Sequence, residues 1–389
     1  MIQRVKEICS YVSRGCTPDY VDDSPYAVMN QATFSKGYLD TSKLRFSSKN
    51  PEEAHILKGD LLMASTGGGV LGKVLFFDDD TQDNFYADSH VSILRDSRHK
   101  NNMKFLYYYF LTRYDEINAT MVKGSTNQTE LQRNYLITHE IDIPEKDRQN
   151  AIVAYLDKQI NSINERICLR ERELQTLIKL KQSEINSVVT RGLNPAVPMK
   201  DSGIDWIGQI PAHWQVRQLK SCVNINNGRD YKDIEVEEGE GYPVLGSGGV
   251  FAYASQYMYD GEVLLLGRKG TIDKPQYYNG KFWAVDTIFY AIPSRGVICK
   301  FMYYLSLTLP IKKFSTATAL PSMTQTEYGK ILVPLPPLEE QRAIVDYLDG
   351  KYERIDAFIA NINAQIDKLK LLKKALINEV VTGQRPITQ

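Results

Sequence analysis

The sequence predicts an α+β protein built twice over, in the order globular unit, long helix, globular unit, long helix. Three observations predict it. A segment beginning IPEKDRQNAIVAYLDKQINSINERI at Ile143 returns as LPPLEEQRAIVDYLDGKYERIDAFI at Leu335, the stretches ahead of the two copies share shorter landmarks, and those stretches mix β-type runs with an apolar helix.

The repeated segments are helical. From Pro144 to Thr190 the first copy is identical to the second at 18 of 47 positions at a constant offset of 192, far beyond chance. Both copies open on prolines with acidic residues in the first turn, and both close on Gly then Pro, at Gly192 and Pro195 or Gly383 and Pro386. In the second copy Leu348, Tyr352, Ile355, Ile359, Ile362, Ile366 and Leu369 follow alternating steps of four and three. In the first copy the seam is Leu156, Ile160, Ile163, Ile167, Leu174 and Leu177, with Arg170 standing where an apolar residue is due. A heptad seam on a rod on the order of 65 Å needs a partner, and the other copy is the obvious one. The two helices are expected to pair within the chain as an antiparallel coiled coil, giving the duplication pseudo-twofold symmetry.

The globular stretches repeat more weakly. Lys58-Gly59-Asp60-Leu61-Leu62 answers Asp260-Gly261-Glu262-Val263-Leu264, FYADSHVSIL at Phe85 answers FWAVDTIFYAI at Phe282, and Lys104-Phe105-Leu106-Tyr107-Tyr108 answers Lys300-Phe301-Met302-Tyr303-Tyr304. The runs LLMAS, VLFF, VSIL, VLLLG and IFYAI read as strands, and MKFLYYYFLTRY reads as a helix. The expected boundaries are a first unit at 1–145, a helix and linker at 146–195, a second unit at 196–337, and a helix with tail at 338–389.

Composition excludes several classes. No apolar run approaches the roughly 18 residues that cross a bilayer, and MIQRVKEICSYVSRG lacks an export core, so the expected location is the cytoplasm. Five cysteines and five histidines are scattered without C-x-x-C or H-E-x-x-H, which points to reduced thiols and no bound metal. Net charge is zero, with 16 basic and 20 acidic side chains in 1–145 and 14 and 13 in 196–337, so any affinity for polyanions must come from local clusters.

Enzyme motifs are wanting. The stretch STGGGVLGKVLFF holds Gly67-x-x-x-x-Gly72-Lys73, but Val74 stands where a P-loop needs Ser or Thr, and VLFFDDD reads as a strand where a P-loop needs a helix. Neither N-P-P-[FY] nor D-P-P-[FY] nor G-x-S-x-G occurs, so the chain is expected to be non-catalytic.

PLPPLEEQRAIVDYLDGK, LINEVVTGQ and DSGIDWIGQIPAHWQV (Asp201 to Val216) resemble the signature segments of the specificity subunit of type I restriction-modification systems, over essentially the whole chain. The DSGxxWIGxIPxxW segment stands only before the second unit, at Trp206 to Trp214. The resemblance implies two target-recognition domains that each read half of a bipartite, asymmetric site on duplex DNA. It also implies a paired-helix spacer and two methyltransferase subunits docked around it, with restriction and translocase subunits as further partners. S-adenosylmethionine, ATP and Mg are then expected on those partners, and no cofactor on this chain. The alternatives are an adaptor coiled-coil protein without DNA binding and, behind it, a P-loop NTPase or a single-chain methyltransferase.

Phosphate neutralisation needs Lys and Arg, base reading needs Arg, Lys, Asn, Gln, Ser or Thr, and glycine lets the backbone approach a phosphate. The candidates in the first unit are Arg14, Thr17, Ser65, Thr66, Lys73, Lys123, Ser125, Asn127 and Gln128. In the second they are Arg229, Ser247, Arg268, Lys269, Thr271, Lys312 and Lys313. For any one of them, a solvated turn is the simpler reading.

Overall fold

The computed structural model of the chain describes residues 1–49, 51–79, 84–123, 129–314 and 321–387. Its four longest helices are α1 (Met103–Leu111), α2 (Lys146–Arg191), α3 (Cys299–Ser306) and α4 (Leu338–Val381). Two compact units result, one of Met1–Arg170 with Gln365–Gln389 and the other of Glu171–Ala364. Each therefore holds a globular part, the opening half of one long helix and the closing half of the other.

The long helices stop where left-handed glycines end them. Gly192 has φ +75° and Gly383 has φ +74°, a conformation that an L side chain rarely adopts. Their backbone N–H groups donate to Val188 and Val380. Of the seam residues, Leu156, Ile160, Ile163, Leu348, Tyr352, Ile362 and Ile366 are buried. Ile167, Leu174, Leu177, Ile355, Ile359 and Leu369 are half-buried.

Inside the second unit the helix segments run antiparallel. Glu184 meets Tyr347 and Lys351, while Lys181 accepts from Tyr352 at 3.0 Å through its carbonyl and pairs with Asp356. In the first unit Lys373, standing in the seam, donates to Asn164 at 2.9 Å, and its burial lowers the ammonium pKa.

In the first unit Ile152, Leu156 and Ile160 of α2 and Leu376, Ile377 and Val380 of α4 join Phe105, Leu106 and Phe110 of α1 in one core with Leu61 and Met63 of the sheet. The second unit repeats this with Ile344, Leu348, Ile185, Val188 and Val189 against Phe301, Met302 and Leu305 of α3. Each such side chain contributes about 1.5–3 kcal/mol of burial, which is why the helix ends are fixed to the globular parts.

The sheets differ in one respect. In the first unit strands Tyr11–Arg14, Val91–Arg95, Leu61–Ala64 and Val74–Phe76 form one antiparallel sheet in that order. A second four-stranded sheet, in the order Tyr20–Val21, Arg45–Ser47, Tyr26–Met29 and Asn84–Ala87, has its last two strands parallel. In the second unit the strand Gln276–Ala284 does the work of both Val74–Phe76 and Asn84–Ala87. It pairs antiparallel with Tyr259–Gly267 and parallel with Tyr242–Gly246, so a single seven-stranded sheet forms.

The ladders also correct the sequence alignment by one residue. Leu61 lies opposite Leu94 and Phe76, and Leu264 opposite Ala291 and Tyr277, so Leu61 answers Leu264 and not Val263. Glycine was the misleading landmark: Gly59 sits in a turn before its strand, whereas Gly261, with φ +136°, sits inside a nine-residue strand. A slip of one residue exchanges the two faces of a strand, so the correction decides which side chains are equivalent.

Candidate nucleic-acid interface

At one end of each unit a tight turn is gripped by two backbone segments. In the first unit Gly15 N–H donates to Val91 at 2.9 Å, Cys16 N–H to Ala87 at 3.1 Å, and Ser65 N–H to His90 at 2.8 Å. In the second Gly228 N–H donates to Ile288 at 3.2 Å, Arg229 N–H to Ala284 at 2.8 Å, and Arg268 N–H to Thr287 at 2.9 Å. A third segment closes each frame, with Leu131 N–H donating to Ser65 at 2.8 Å and Met323 N–H to Arg268 at 3.0 Å.

Only glycine fits the closest approach. A Cβ at Gly15 would stand 2.0 Å from the Ala87 carbonyl oxygen, and one at Gly228 would stand 1.9 Å from that of Val285. The frames are therefore one structure made twice, and the equivalences follow: Cys16 with Arg229, Ser65 with Arg268, Thr66 with Lys269, and His90 with Thr287.

Several predicted residues of the first frame turn out to have internal duties. Ser65 is fully buried and shares a 2.6 Å hydrogen bond with Ser92, so it cannot meet a surface ligand. Arg14 forms an ion pair with Glu130 and donates to the carbonyls of Ser65 at 3.3 Å and Leu131 at 3.4 Å, which ties three segments together and spends its charge. Lys73 donates to the Ser35 carbonyl at 2.6 Å and leads into the strand Val74–Phe76, so the glycine loop is no nucleotide cradle. Thr17 and Lys123 are exposed, and Thr66 is half-buried. Ser125, Asn127 and Gln128 lie outside the described residues.

The second frame is basic. Arg229 and Lys269 are exposed, while Arg268 is half-buried, donates to the Asp286 carbonyl at 3.2 Å and lies over the Phe289 ring at 5.9 Å. Arg229 is steadied through its own carbonyl, which accepts from the Trp283 indole at 3.0 Å. Two guanidinium groups and an ammonium thus flank one turn, an arrangement suited to phosphates or to guanine edges. Ser247 lies half-buried in the hairpin between Tyr242–Gly246 and Gly249–Ala254, Thr271 is half-buried past Lys269, and Lys313 is exposed on the short helix Ile311–Phe314. Ser247, Thr271 and Lys313 belong to neighbouring loops and not to the frame itself. The side chain of Lys312 lies outside the described residues.

Other residues that matter were not singled out in the sequence. Gln149 and Gln341 are each 1% exposed. Gln149 accepts from Asn102 N–H at 2.7 Å and donates to the Pro144 carbonyl at 2.8 Å. Gln341 accepts from Ile298 N–H at 2.8 Å and donates to the Pro336 carbonyl at 2.9 Å. One glutamine thus couples the start of each long helix to the start of α1 or α3, satisfying a helix-end donor that would otherwise be orphaned. Asp157 accepts from Lys104 and Tyr108, and Asp349 from Lys300 and Tyr304. Burial, then these carboxylates, push both phenol pKa values up. The available signal was identity at the 192-residue offset.

The second unit has one further lock. Trp214 is fully buried, donates from its indole to Glu340 at 3.0 Å and lies against Gly192, while His213 meets the other oxygen of Glu340 at 2.6 Å. Among the described residues no group of three His, Cys, Asp or Glu is arranged to hold a metal ion, and no helix is long and apolar enough to cross a membrane. Burial raises the thiols of Cys9 and Cys299 to about 12, which leaves them unreactive.

The chain is a tandem duplication of an α+β unit, each copy followed by a long helix. The chain belongs to the family of the type I restriction modification DNA specificity domain, whose family model matches residues 2–169 and 211–368. It is similar to the provisionally assigned MjaX specificity subunit of a type I restriction enzyme of Methanocaldococcus jannaschii, at 23% identity across 98% of this chain and 93% of that one. It is also similar to the EcoprrI specificity subunit of Escherichia coli, at 23% identity across 67% and 64%. A chain from a solved structure on complex assembly and conformational transition of the type I R-M system has the same fold, with TM-score 0.72 at 17% identity over 98% of this chain and 97% of that one. Both of these curated relatives are named as specificity subunits of type I restriction enzymes.

Proposed function

We propose that the chain is a DNA-recognition subunit that reads a bipartite, asymmetric duplex site, one half with residues 1–145 and the other with residues 196–337. The paired helices, within 146–195 and 338–389, set the distance between the halves and seat two methyltransferase subunits. Those partners carry out S-adenosylmethionine-dependent adenine methylation, and ATP-dependent cleavage follows when translocase subunits join. The observation that carries the reading is the twice-made turn frame, whose backbone is the same and whose side chains are not. Twofold-related readers with identical side chains would recognise a palindrome, whereas Thr66 and His90 against Lys269 and Thr287 recognise two different halves. Of the candidates, Thr17, Thr66, Lys123, Arg229, Ser247, Arg268, Lys269, Thr271 and Lys313 remain as proposed DNA contacts.

The test is an exchange of residues 1–145 for the corresponding part of another family member, in a chain co-purified with its methyltransferase partner. One half of the methylated motif should change and the other should stay. An unchanged motif overturns the two-reader proposal. The adaptor reading predicts no affinity for duplex DNA, while phosphate contacts predict affinity that falls steeply as salt rises.

A further inference from the structure

The loop end of the first unit carries a hydrogen-bonded relay built from three segments. Gln31 opens the short turn Gln31–Thr33, Thr66 follows the buried strand Leu61–Ala64, and His90 closes the gripped turn. Thr66 Oγ1 donates to Gln31 Oε1 at 3.0 Å and lies 2.7 Å from His90 Nδ1. A threonine hydroxyl has one proton. With that proton directed at Gln31 Oε1, the contact is satisfied by the His90 tautomer that carries its hydrogen on Nδ1, whose Nε2 is an acceptor. Gln31 keeps its amide N–H donors.

Each member is also held by its own segment. The buried Asp88 accepts from His90 N–H at 2.8 Å, and Asn30 accepts from Ala32 N–H at 2.8 Å, so the turns that carry His90 and Gln31 are both braced. Gly67, with φ +94°, leaves room for the glutamine, since a Cβ there would stand 2.9 Å from Gln31 Nε2. Solvated turn residues have no reason to brace one another across three segments. Preorganised donors and acceptors at a glycine-lined tip are what base reading requires.

We propose that Gln31 and His90, held by Thr66 as a positioning residue, read one base of the half-site assigned to the first unit. The array offers one donor, Gln31 Nε2–H, and one acceptor, His90 Nε2. Its complement in the major groove is adenine, whose N7 accepts and whose N6 donates; guanine presents two acceptors and is rejected. The second unit cannot form the relay, because Lys269 and Thr287 stand where Thr66 and His90 do. This proposal rests on the reading of the chain as a DNA-recognition subunit.

The experiment uses the full chain assembled with its methyltransferase partner and a randomised duplex DNA library, with the recovered motif as readout. Gln31→Ala and His90→Ala should each relax the preference for adenine at one position of one half-site by about tenfold, leaving the other half-site and the salt dependence unchanged. Thr66→Val should relax the same position less, and Thr66→Ser should restore it, a rescue that a merely structural role would not produce. Melting curves matched to the parent show that each variant is folded, and His90→Gln replaces His90→Ala if the latter is not. Folded Gln31 and His90 variants with the parental motif overturn the relay as reader, provided that exchange of residues 1–145 still alters that half-site. If the exchange alters nothing either, the two-reader function itself falls.

Discussion

The two turn frames are the most informative pair of regions in the molecule. Both use a glycine pressed against a carbonyl, the same two-segment grip and the same incoming third segment, yet one presents Thr66, His90 and Cys16 and the other Lys269, Thr287 and Arg229. Backbone hydrogen bonds hold the geometry without consulting the side chains, so the side chains are free to diverge. The second frame trades directional hydrogen bonding for charge. In the proposed reading, hydrogen-bonding groups select by leaving donors unpaired on the wrong base, whereas guanidinium and ammonium groups add attraction to any phosphate.

The largest expected difference between the units lies away from the frames, where α2 and α4 end. Gly192 is covered by Trp214, while a Cβ at Gly383 would meet nothing within 4 Å among the described residues. Trp214→Ala opens a cavity in the second core and removes one of Glu340's two partners, leaving His213, and it should cost about 3–5 kcal/mol. Hydrogen exchange should show the loss in the second unit around 185–191 and 207–214, with α1 unaffected. Equal loss of protection in both units would mean that the indole is not a device of the second unit alone.

A smaller effect should be shared. Gln149→Ala and Gln341→Ala each leave a half-buried backbone N–H at the start of α1 or α3 without its acceptor, at a cost of about 1–3 kcal/mol. Denaturant melts of the two variants should agree closely, because the hydrogen bonds they remove agree to within about 0.1 Å by the distances above. A clear inequality would break the equivalence of the two helix starts.

Much of this architecture was legible in the sequence because it is written in repetition. The helices showed through heptad periodicity and end signals, and Gln149 and Asp157 recur as Gln341 and Asp349 inside the repeat. The fusion of two short strands into Gln276–Ala284 was not legible, since VLFF and FYAD differ from their counterparts only in what lies between them. The site was harder. Ser65, Arg14 and Lys73 had the right chemistry for DNA, but their partners Ser92, Glu130 and Ser35 are remote in sequence, so only the fold reveals that they are committed. Gln31 and His90 gave no signal for the same reason: each is an ordinary polar loop residue until Thr66 joins them.

The smallest difference tests the comparison at a single atom pair. Val5 N–H donates to the His139 carbonyl and Leu219 N–H to that of Ile331, so a half-buried histidine in the first unit occupies the place of a buried isoleucine in the second. Burial lowers the His139 pKa below the ordinary 6.5, with Glu116 and Glu140 opposing the shift and Arg113 adding to it. The sign follows from proton counting. As pH falls through about 6.5 the unfolded chain takes up a proton that the folded chain refuses, so stability held at neutral pH is lost on acidification. Protection against hydrogen exchange, taken relative to the intrinsic rate at each pH, should therefore weaken between about pH 7 and about pH 5.5 around 133–141, and not around 325–335, by this mechanism. His139→Ile, which copies the second unit, should remove the difference. If the two regions already respond alike in the parent, the histidine is not what separates them, and the acid response belongs to carboxylates common to both units.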